Sequence, residues 1–303
     1  MALLPERNRQ GDFFVADILD VAPKDDMVSM EHPLFALKAG DKRIRNYERS
    51  GNTVTVLPGA TGRATIHDKD LWIYCISQVV EAKNRDRETS RTIRFVMHDF
   101  LTVTNRPTSG IGYQRAADML RRLSGTRIET NIKTNGRRER RGFGLVDSWR
   151  VVEKSPNDSR MVAVEVTLPE WLFRSVEAMQ VLTLSRDYFR LRKALDRRIY
   201  ELARKHCGNQ PHWRVKLATL LEKSGSTASL REFRRGIKVL VESGALPGYL
   251  LAYDADRDLV TFYAAGPEGR RAEINDILDG RPHAPVIAHQ AQHKRRQAKR
   301  KRV

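Results

Sequence analysis

The sequence predicts an α+β protein built from two tandem winged helix-turn-helix domains and ending in a basic tail. Three observations predict it. From Trp213 to Ala265 the chain runs helix, turn, helix and two β-rich segments. Between His98 and Leu168 the same order comes once before, with a basic hairpin tip. The 303 residues carry 55 Lys and Arg against 37 Asp and Glu, a formal charge of +18. That length can bury two cores, and that charge makes an acidic polymer the natural partner.

A hydrophobic share of 40% beside 30% charged residues suits a globular chain in water. Nucleic acid is favoured over a membrane. No apolar run reaches spanning length, and no long basic amphipathic helix has a strongly apolar face. Cys75 and Cys207 lie far apart in sequence, against a disulfide framework or a zinc cluster. Residues 1–5 are followed by Glu6 and Arg7 and do not make a signal peptide, so the expected location is the cytoplasm.

Residues 1–40 are expected to form an N-terminal arm packing on the first domain, with an apolar patch at 12–21 and a loop at 22–26. The first winged-helix domain is assigned to residues 41–170. Residues 43–48 and 53–57 pair as a hairpin around Ser50, Gly51 and Asn52. Residues 58–63 are glycine-rich but lack the Gly-Lys-Ser/Thr ending of a Walker loop, so no nucleotide cofactor is expected. Asp68 or Asp70 caps a helix through residues 71–80, whose apolar side chains on most faces imply burial. Residues 91–96 alternate as a strand, 98–104 make a short helix, and 105–110 turn the chain. Tyr113, Ala116, Ala117, Leu120 and Leu123 mark the inner face of the next helix. Arg115 and Arg122 share its outer face with Asp118, which weakens that face for base contact. Residues 127–133, the Asn135-Gly136 turn and the cluster Arg137, Arg138, Arg140 and Arg141 give a hairpin whose tip suits phosphate contact. A merely solvated tip is the alternative. Strands through Val152 and over 161–168 complete the domain.

The second winged-helix domain is assigned to residues 171–280. Tyr188, Leu191, Leu195, Ile199 and Leu202 predict one long helix over 188–206, with Arg190, Arg192, Lys193, Arg197 and Arg204 mostly outside the apolar stripe. Residues 213–223 are expected as a short helix with Leu217, Leu220 and Leu221 inward. Ser229 and Glu232 stand in the S-x-x-E relation of a capping box. The helix they open places Leu230, Phe233, Ile237, Leu240 and Val241 on one face and Arg231, Arg234, Arg235 and Lys238 on the other. Gly244 closes it. Residues 249–253 and 259–263 form the hairpin, with Arg257 in its turn. With the apolar stripe buried, the cationic one is left outside and is narrow enough for a major groove. A solvated helix face would look the same in isolation. A short helix follows at 271–278. Residues 281–303 are expected to be a disordered basic tail that adds non-specific DNA affinity, with seven basic residues from Lys294 to Arg302.

Taken together, residues 30–37, 43–48 and 64–78, the run Arg186-Asp-Tyr-Phe-Arg190 and the segment after Trp213 resemble the plasmid replication initiator protein A family. The resemblance spans nearly the whole chain except the basic tail. It implies a tandem winged-helix initiator that binds repeated double-stranded sites in a plasmid origin, helps open the duplex and recruits host replication proteins such as an initiator or helicase. Related groups of initiators form homodimers and repress their own promoters.

Three functions compete at this point. The origin-binding initiator needs no catalytic residues, metal or cofactor. A winged-helix transcriptional repressor would use the same DNA surface without an initiation role. A nicking initiator would need a tyrosine nucleophile and a metal held by closely spaced histidines. The eight histidines never occur as His-x-His, and Tyr188 and Tyr200 fit core packing, so no enzymatic activity is expected.

Overall fold

The computed structural model describes residues 21–49, 52–131, 133–134, 137–138, 141–155 and 158–300. The apolar patch from Asp12, the Ser50-Gly51 pair, the Asn135-Gly136 turn, Arg140 and the chain's last three residues therefore lie outside the described residues.

The chain opens with strand β1 (Lys24–Asp26) and helix α1 (Met27–Glu31), followed by the hairpin β2 (Arg45–Arg49) and β3 (Asn52–Leu57). Helix α2 (Asp70–Asn84) leads to β4 (Thr92–Phe95), α3 (Met97–Val103) and α4 (Gly110–Gly125). Strands β5 (Arg127–Thr130), β6 (Lys133–Thr134), β7 (Arg137–Arg138) and β8 (Arg141–Gly144) make one hairpin, with Thr130 opposite Arg141 and Lys133 opposite Arg138. Strands β9 (Ser148–Ser155) and β10 (Asp158–Thr167) make another. The result is a mixed α/β first half with two antiparallel sheets, ordered β2-β3-β5-β8 and β4-β10-β9. Val54, Val56 and Ile128 face inward from the first sheet and Ile93, Phe95, Val164 and Val166 from the second, against Trp72, Cys75, Ile76 and Val79 of α2.

Helix α5 (Glu170–Glu177) and strand β11 (Val181–Thr183) carry the chain to a 3₁₀ turn (Arg186–Arg190) and helix α6 (Ala194–His206). Then come β12 (His212–Lys216), α7 (Leu217–Ser224), α8 (Leu230–Ser243), β13 (Tyr249–Asp254), β14 (Leu259–Ala264), α9 (Pro267–Leu278) and α10 (Val286–Arg300). Strands β12, β14 and β13 form one antiparallel sheet in that order. A second core lies between it and α6, α7 and α8, and includes Tyr188, Leu202, Leu220, Phe233, Ile237 and Phe262.

Several expectations are corrected. Neither Asp68 nor Asp70 caps α2: Lys69 holds that position without a side-chain bond. Asp68 instead accepts from the Thr65 amide at 2.7 Å and from Arg122. The long helix expected over 188–206 begins only at Ala194, because Leu191 and Lys193 are extended. The buried Arg197 guanidinium donates to the Leu191 carbonyl at 2.8 Å and so serves an acceptor that a continuous helix would have used internally. Trp213 and Val215 belong to strand β12 and not to a helix, with Trp213 stacked between His206 and Phe262 at centroid distances of 4.7 and 5.0 Å. The basic tail is not disordered over 286–300. It forms α10, where Ala288 is buried and Gln292 donates to the carbonyl of Tyr249 at 3.1 Å.

The N-terminal arm reaches both cores. Phe35 joins the first, edge-on to Trp72 at 5.1 Å, whereas Met30 lies in the second. Strand β1 pairs with β11, and Arg198 of α6 donates to the carbonyls of Ser29 and Glu31 at 3.2 and 3.3 Å. Helix α2 is shared in the same way, since Ile73 faces the second core while its other apolar residues face the first. A buried ionic chain crosses this joint. Lys69 Nζ sits 2.7 Å from Asp25 Oδ2 and 3.1 Å from Glu201 Oε2, and Arg197 meets Asp70 at 2.5 Å.

Candidate nucleic-acid interface

Helix α8 is defined at both ends by its sequence. Ser229 Oγ accepts from the Glu232 amide at 3.3 Å while the Glu232 carboxylate accepts from the Ser229 amide at 2.9 Å, which closes the capping box. Gly244 ends the helix at φ +55°, in the left-handed region. Phe233, Ile237, Leu240 and Val241 are buried. Each contributes about 1.5–3 kcal/mol of apolar burial, which fixes the rotation of the helix. Arg231, Arg235 and Lys238 are consequently exposed on the opposite side.

Arg234 belongs to the same sequence stripe but has a different task. Its Nε donates to Tyr253 Oη at 2.9 Å, and its Nε and Nη2 take both carboxylate oxygens of Asp258 at 3.2 and 2.9 Å. The Tyr253 hydroxyl also donates to Asp258. Asp258 lies at the base of the β13–β14 turn in a left-handed backbone conformation, φ +50°. The hydrogen bonds from Arg234 hold its carboxyl below the usual carboxylate range, so the clamp stays ionised. The arginine thus fastens the hairpin to the helix.

The hairpin end is tied down further. Lys216 Nζ donates to the Arg257 carbonyl at 2.8 Å, and the Leu217 amide donates to the Asp258 carbonyl at 2.8 Å. Asp254 Oδ1 accepts from the Asp256 and Arg257 amides at 3.1 and 3.0 Å. Arg257 itself points outward with a side chain 67% exposed. Lys238 Nζ lies 5.5 Å from the Tyr253 ring centroid, a cation-π distance that leans it toward the hairpin. Arg231, Arg235, Lys238 and Arg257 therefore decorate one helix and a hairpin locked to it. In the sequence Asp258 is only the residue that separates the turn from the second hairpin strand. An acid beside an aromatic-bearing strand, facing an arginine-rich helix, was the available signal.

The first half offers a plainer surface. Helices α3 and α4 are joined by a tight turn in which a side chain at Gly112 would strike the Pro107 carbonyl. Arg115 is exposed on α4. Arg122 is half-buried and held by Asp68, with Nε to Oδ2 and Nη2 to Oδ1 both at 2.8 Å. Arg121, which the sequence did not single out, is exposed beside Asp118, its ion-pair partner at 2.8 Å. Arg137 and Arg138 form β7, paired with β6, and Arg141 is exposed on β8.

The tyrosines considered as nucleophiles are internal. The Tyr188 hydroxyl donates to Glu201 at 2.8 Å, and the Tyr200 hydroxyl accepts from the Ser185 amide at 2.7 Å. Burial pushes both phenols up, away from the anionic form a nucleophile needs. Among the described residues no group of three or more His, Cys, Asp or Glu could hold a metal ion. No helix among them is long and apolar enough to cross a membrane.

Residues 24–251 match the sequence profile of the family described as replication initiator protein A. A relative in Wigglesworthia glossinidia brevipalpis, provisionally named a replication protein, is 40% identical over 262 residues, covering 86% of this chain and 95% of the relative. Two crystal structures of domains 2 and 3 of RctB share the fold at 11% identity. One has a TM-score of 0.53 and covers 77% of this chain and 95% of its own. The other has a TM-score of 0.54 and covers 74% and 91%.

Proposed function

The chain belongs to the replication initiator protein A family, and on that premise we propose that it starts replication by binding repeated double-stranded sites in a plasmid origin. Each half acts as a winged helix-turn-helix. Helix α8 reads a major groove with Arg231, Arg235 and Lys238, while Arg257 on the locked hairpin holds phosphate. The observation that carries this reading is the exposed three-cation stripe beside a hairpin that Arg234 and Asp258 hold against the helix. Helix α4, through Arg115, and the hairpin residues Arg137, Arg138, Arg140 and Arg141 add a second footprint. Strain on a neighbouring AT-rich segment would assist duplex opening, after which host replication proteins are recruited in the bacterial cytoplasm. Self-association as a homodimer belongs to the same proposal.

No catalytic step is assigned to the chain. Incubation with supercoiled origin DNA and Mg²⁺ or Mn²⁺ should give no covalent adduct.

The decisive measurement is anisotropy binding to origin repeats by the Arg231→Ala, Arg235→Ala, Lys238→Ala triple variant. Each arginine that reaches a base edge should cost about 1–3 kcal/mol. Repeat binding equal to wild type would reject α8 as the reader. A cloned origin supplied with this gene should replicate in a suitable host. Promoter repression without replication would make the protein a repressor instead.

A further inference from the structure

The glycine-rich stretch 58–63 plays no part in the interface above, yet it builds a second cationic cluster. Gly62, at φ +92°, packs so close to Gly40 that an added Cβ would lie 3.0 Å from the Gly40 backbone. That approach lets the Arg63 amide donate to the Asp41 carbonyl at 2.9 Å and buries the Arg63 side chain beside the Asp41 carboxylate. Three arginines converge there on one carboxylate. Arg43 takes Asp41 through Nε and Nη2 at 2.8 and 3.1 Å, and Arg63 Nη2 reaches it at 2.8 Å. Arg45, opposite Val56 on the inward face of β2, stops 3.8 Å away, beyond hydrogen-bond length.

The cluster is incomplete in charge and in hydrogen bonding. Among the described residues, three guanidinium groups against one carboxylate leave two positive charges uncompensated. Nε and Nη2 of Arg45, with Nε and Nη1 of Arg63, are buried and have no hydrogen-bond partner among the described residues. Arg63 as a residue is only 1% exposed. Buried charged donors without acceptors are costly, and an anion is the acceptor that would satisfy them. The geometry of Arg45 says what kind. Its Nε–Nη2 edge is the fork with which Arg43, Arg122, Arg150 and Arg234 each grip a carboxylate here. On Arg45 that fork holds no carboxylate, although Asp41 is 3.8 Å away.

We propose that Arg43, Arg45 and Arg63 form a phosphate-binding site at the edge of the first sheet, with Asp41 holding the guanidinium groups in register. One phosphate oxygen pair fills the Arg45 fork, and another oxygen takes the Arg63 donors. Up to two negative charges match the uncompensated pair. Arg43, whose side chain is 57% exposed, closes over the bound group. Both a DNA backbone phosphate and a small phosphate-bearing molecule have this chemistry.

The test uses the full-length chain. Calorimetry with inorganic phosphate, at constant ionic strength against chloride, is run on wild type, Arg45→Gln and the surface variant Arg43→Gln. Anisotropy on a duplex of arbitrary sequence is then run across a salt series. If the site takes free phosphate, wild type binds it, both variants bind at least tenfold more weakly, and the salt slope stays unchanged. If it takes DNA phosphate, Arg45→Gln weakens binding to every sequence alike and lowers the log-log salt slope by about 0.9. Variants indistinguishable from wild type in both arms would overturn the site. A loss of Arg45→Gln to misfolding, read by circular dichroism, leaves Arg43→Gln to decide. The DNA arm rests on the proposed function, and the triple variant of α8 separates the two failures, since it should lose repeat binding and keep phosphate binding.

Discussion

Replacing Lys69 by methionine addresses what holds the two halves of the chain together. The ammonium lies between the carboxylates of Asp25 and Glu201 at 2.7 and 3.1 Å, and all three side chains are 0% exposed. Methionine has a similar length and packs without a charge, but it strands two acids away from water. Glu201 keeps Arg198 Nη1 at 3.0 Å and the Tyr188 hydroxyl at 2.8 Å. Asp25 keeps the Asp26 amide, at 3.0 Å. Removing one member of such a buried pair costs about 3–5 kcal/mol, a large part of an ordinary stability of roughly 5–15 kcal/mol.

Urea unfolding gives that number, followed by far-UV circular dichroism and by Trp213 fluorescence in a chain whose other tryptophans are replaced by phenylalanine. Because Lys69 links β1, α2 and α6, the loss should also separate the two signals into distinct transitions. An exposed control sets the scale. Arg174→Ala removes an ion pair whose side chains are 64% and 62% exposed and should cost under about 1 kcal/mol. A Lys69→Met midpoint no lower than that of Arg174→Ala would refute the argument that this ionic chain couples the halves.

Three further outcomes follow from the same structure. Burial raises the Asp25 carboxyl to about 7, so the folded chain holds this proton more tightly than the unfolded one; its stabilising contribution is complete below about pH 4 and is lost as pH rises through 7. Asp25→Asn should therefore flatten the pH dependence of urea stability between those limits, and an unchanged slope would count against it. Ser229→Ala removes the side-chain acceptor of the capping box and should cost about 1 kcal/mol in the same melts. Gly244→Ala forces a side chain into the left-handed region, about 1–2 kcal/mol, and places its Cβ 2.6 Å from Ala288 Cα. Limited proteolysis should then release α10 first, and wild-type resistance there would deny that the helix docks through this glycine.

Helix α8 was legible because its information is local. The cap lies three residues from its partner, the apolar spacing is internal to the helix, and the closing glycine is next in sequence. The hairpins were legible for the same reason, through alternation and turn residues. What failed was whatever depended on distant partners. Trp213 and Val215 fit a helical spacing as well as a strand, and only pairing with β14 decides between them. The segment 188–206 has unbroken helical periodicity, yet Arg197 turns inward to Asp70, 127 residues earlier in the chain, and takes the Leu191 carbonyl on the way. The tail has the composition of a solvated arm, yet Ala288 and Gln292 give it a small apolar and amide contact surface against the end of α8.

The same distinction decides which arginines stay at the surface. In sequence Arg122, Arg197 and Arg234 look like Arg115, Arg231 and Arg235, all basic and placed on helices. The fold brings a carboxylate to each of the first three, across 54, 127 and 24 residues, and so converts them into struts. Arg115, Arg231 and Arg235 are left facing water. In the proposed reading a strut still matters, but in a different way. Losing Arg234 should loosen the hairpin, weakening phosphate contact on every sequence alike, whereas losing Arg231 or Arg235 should relax the preference for particular bases. In the proposed reading, a chain this basic would owe its attraction for nucleic acid to many side chains, and its selectivity to Arg115, Arg231 and Arg235, which the fold leaves facing water.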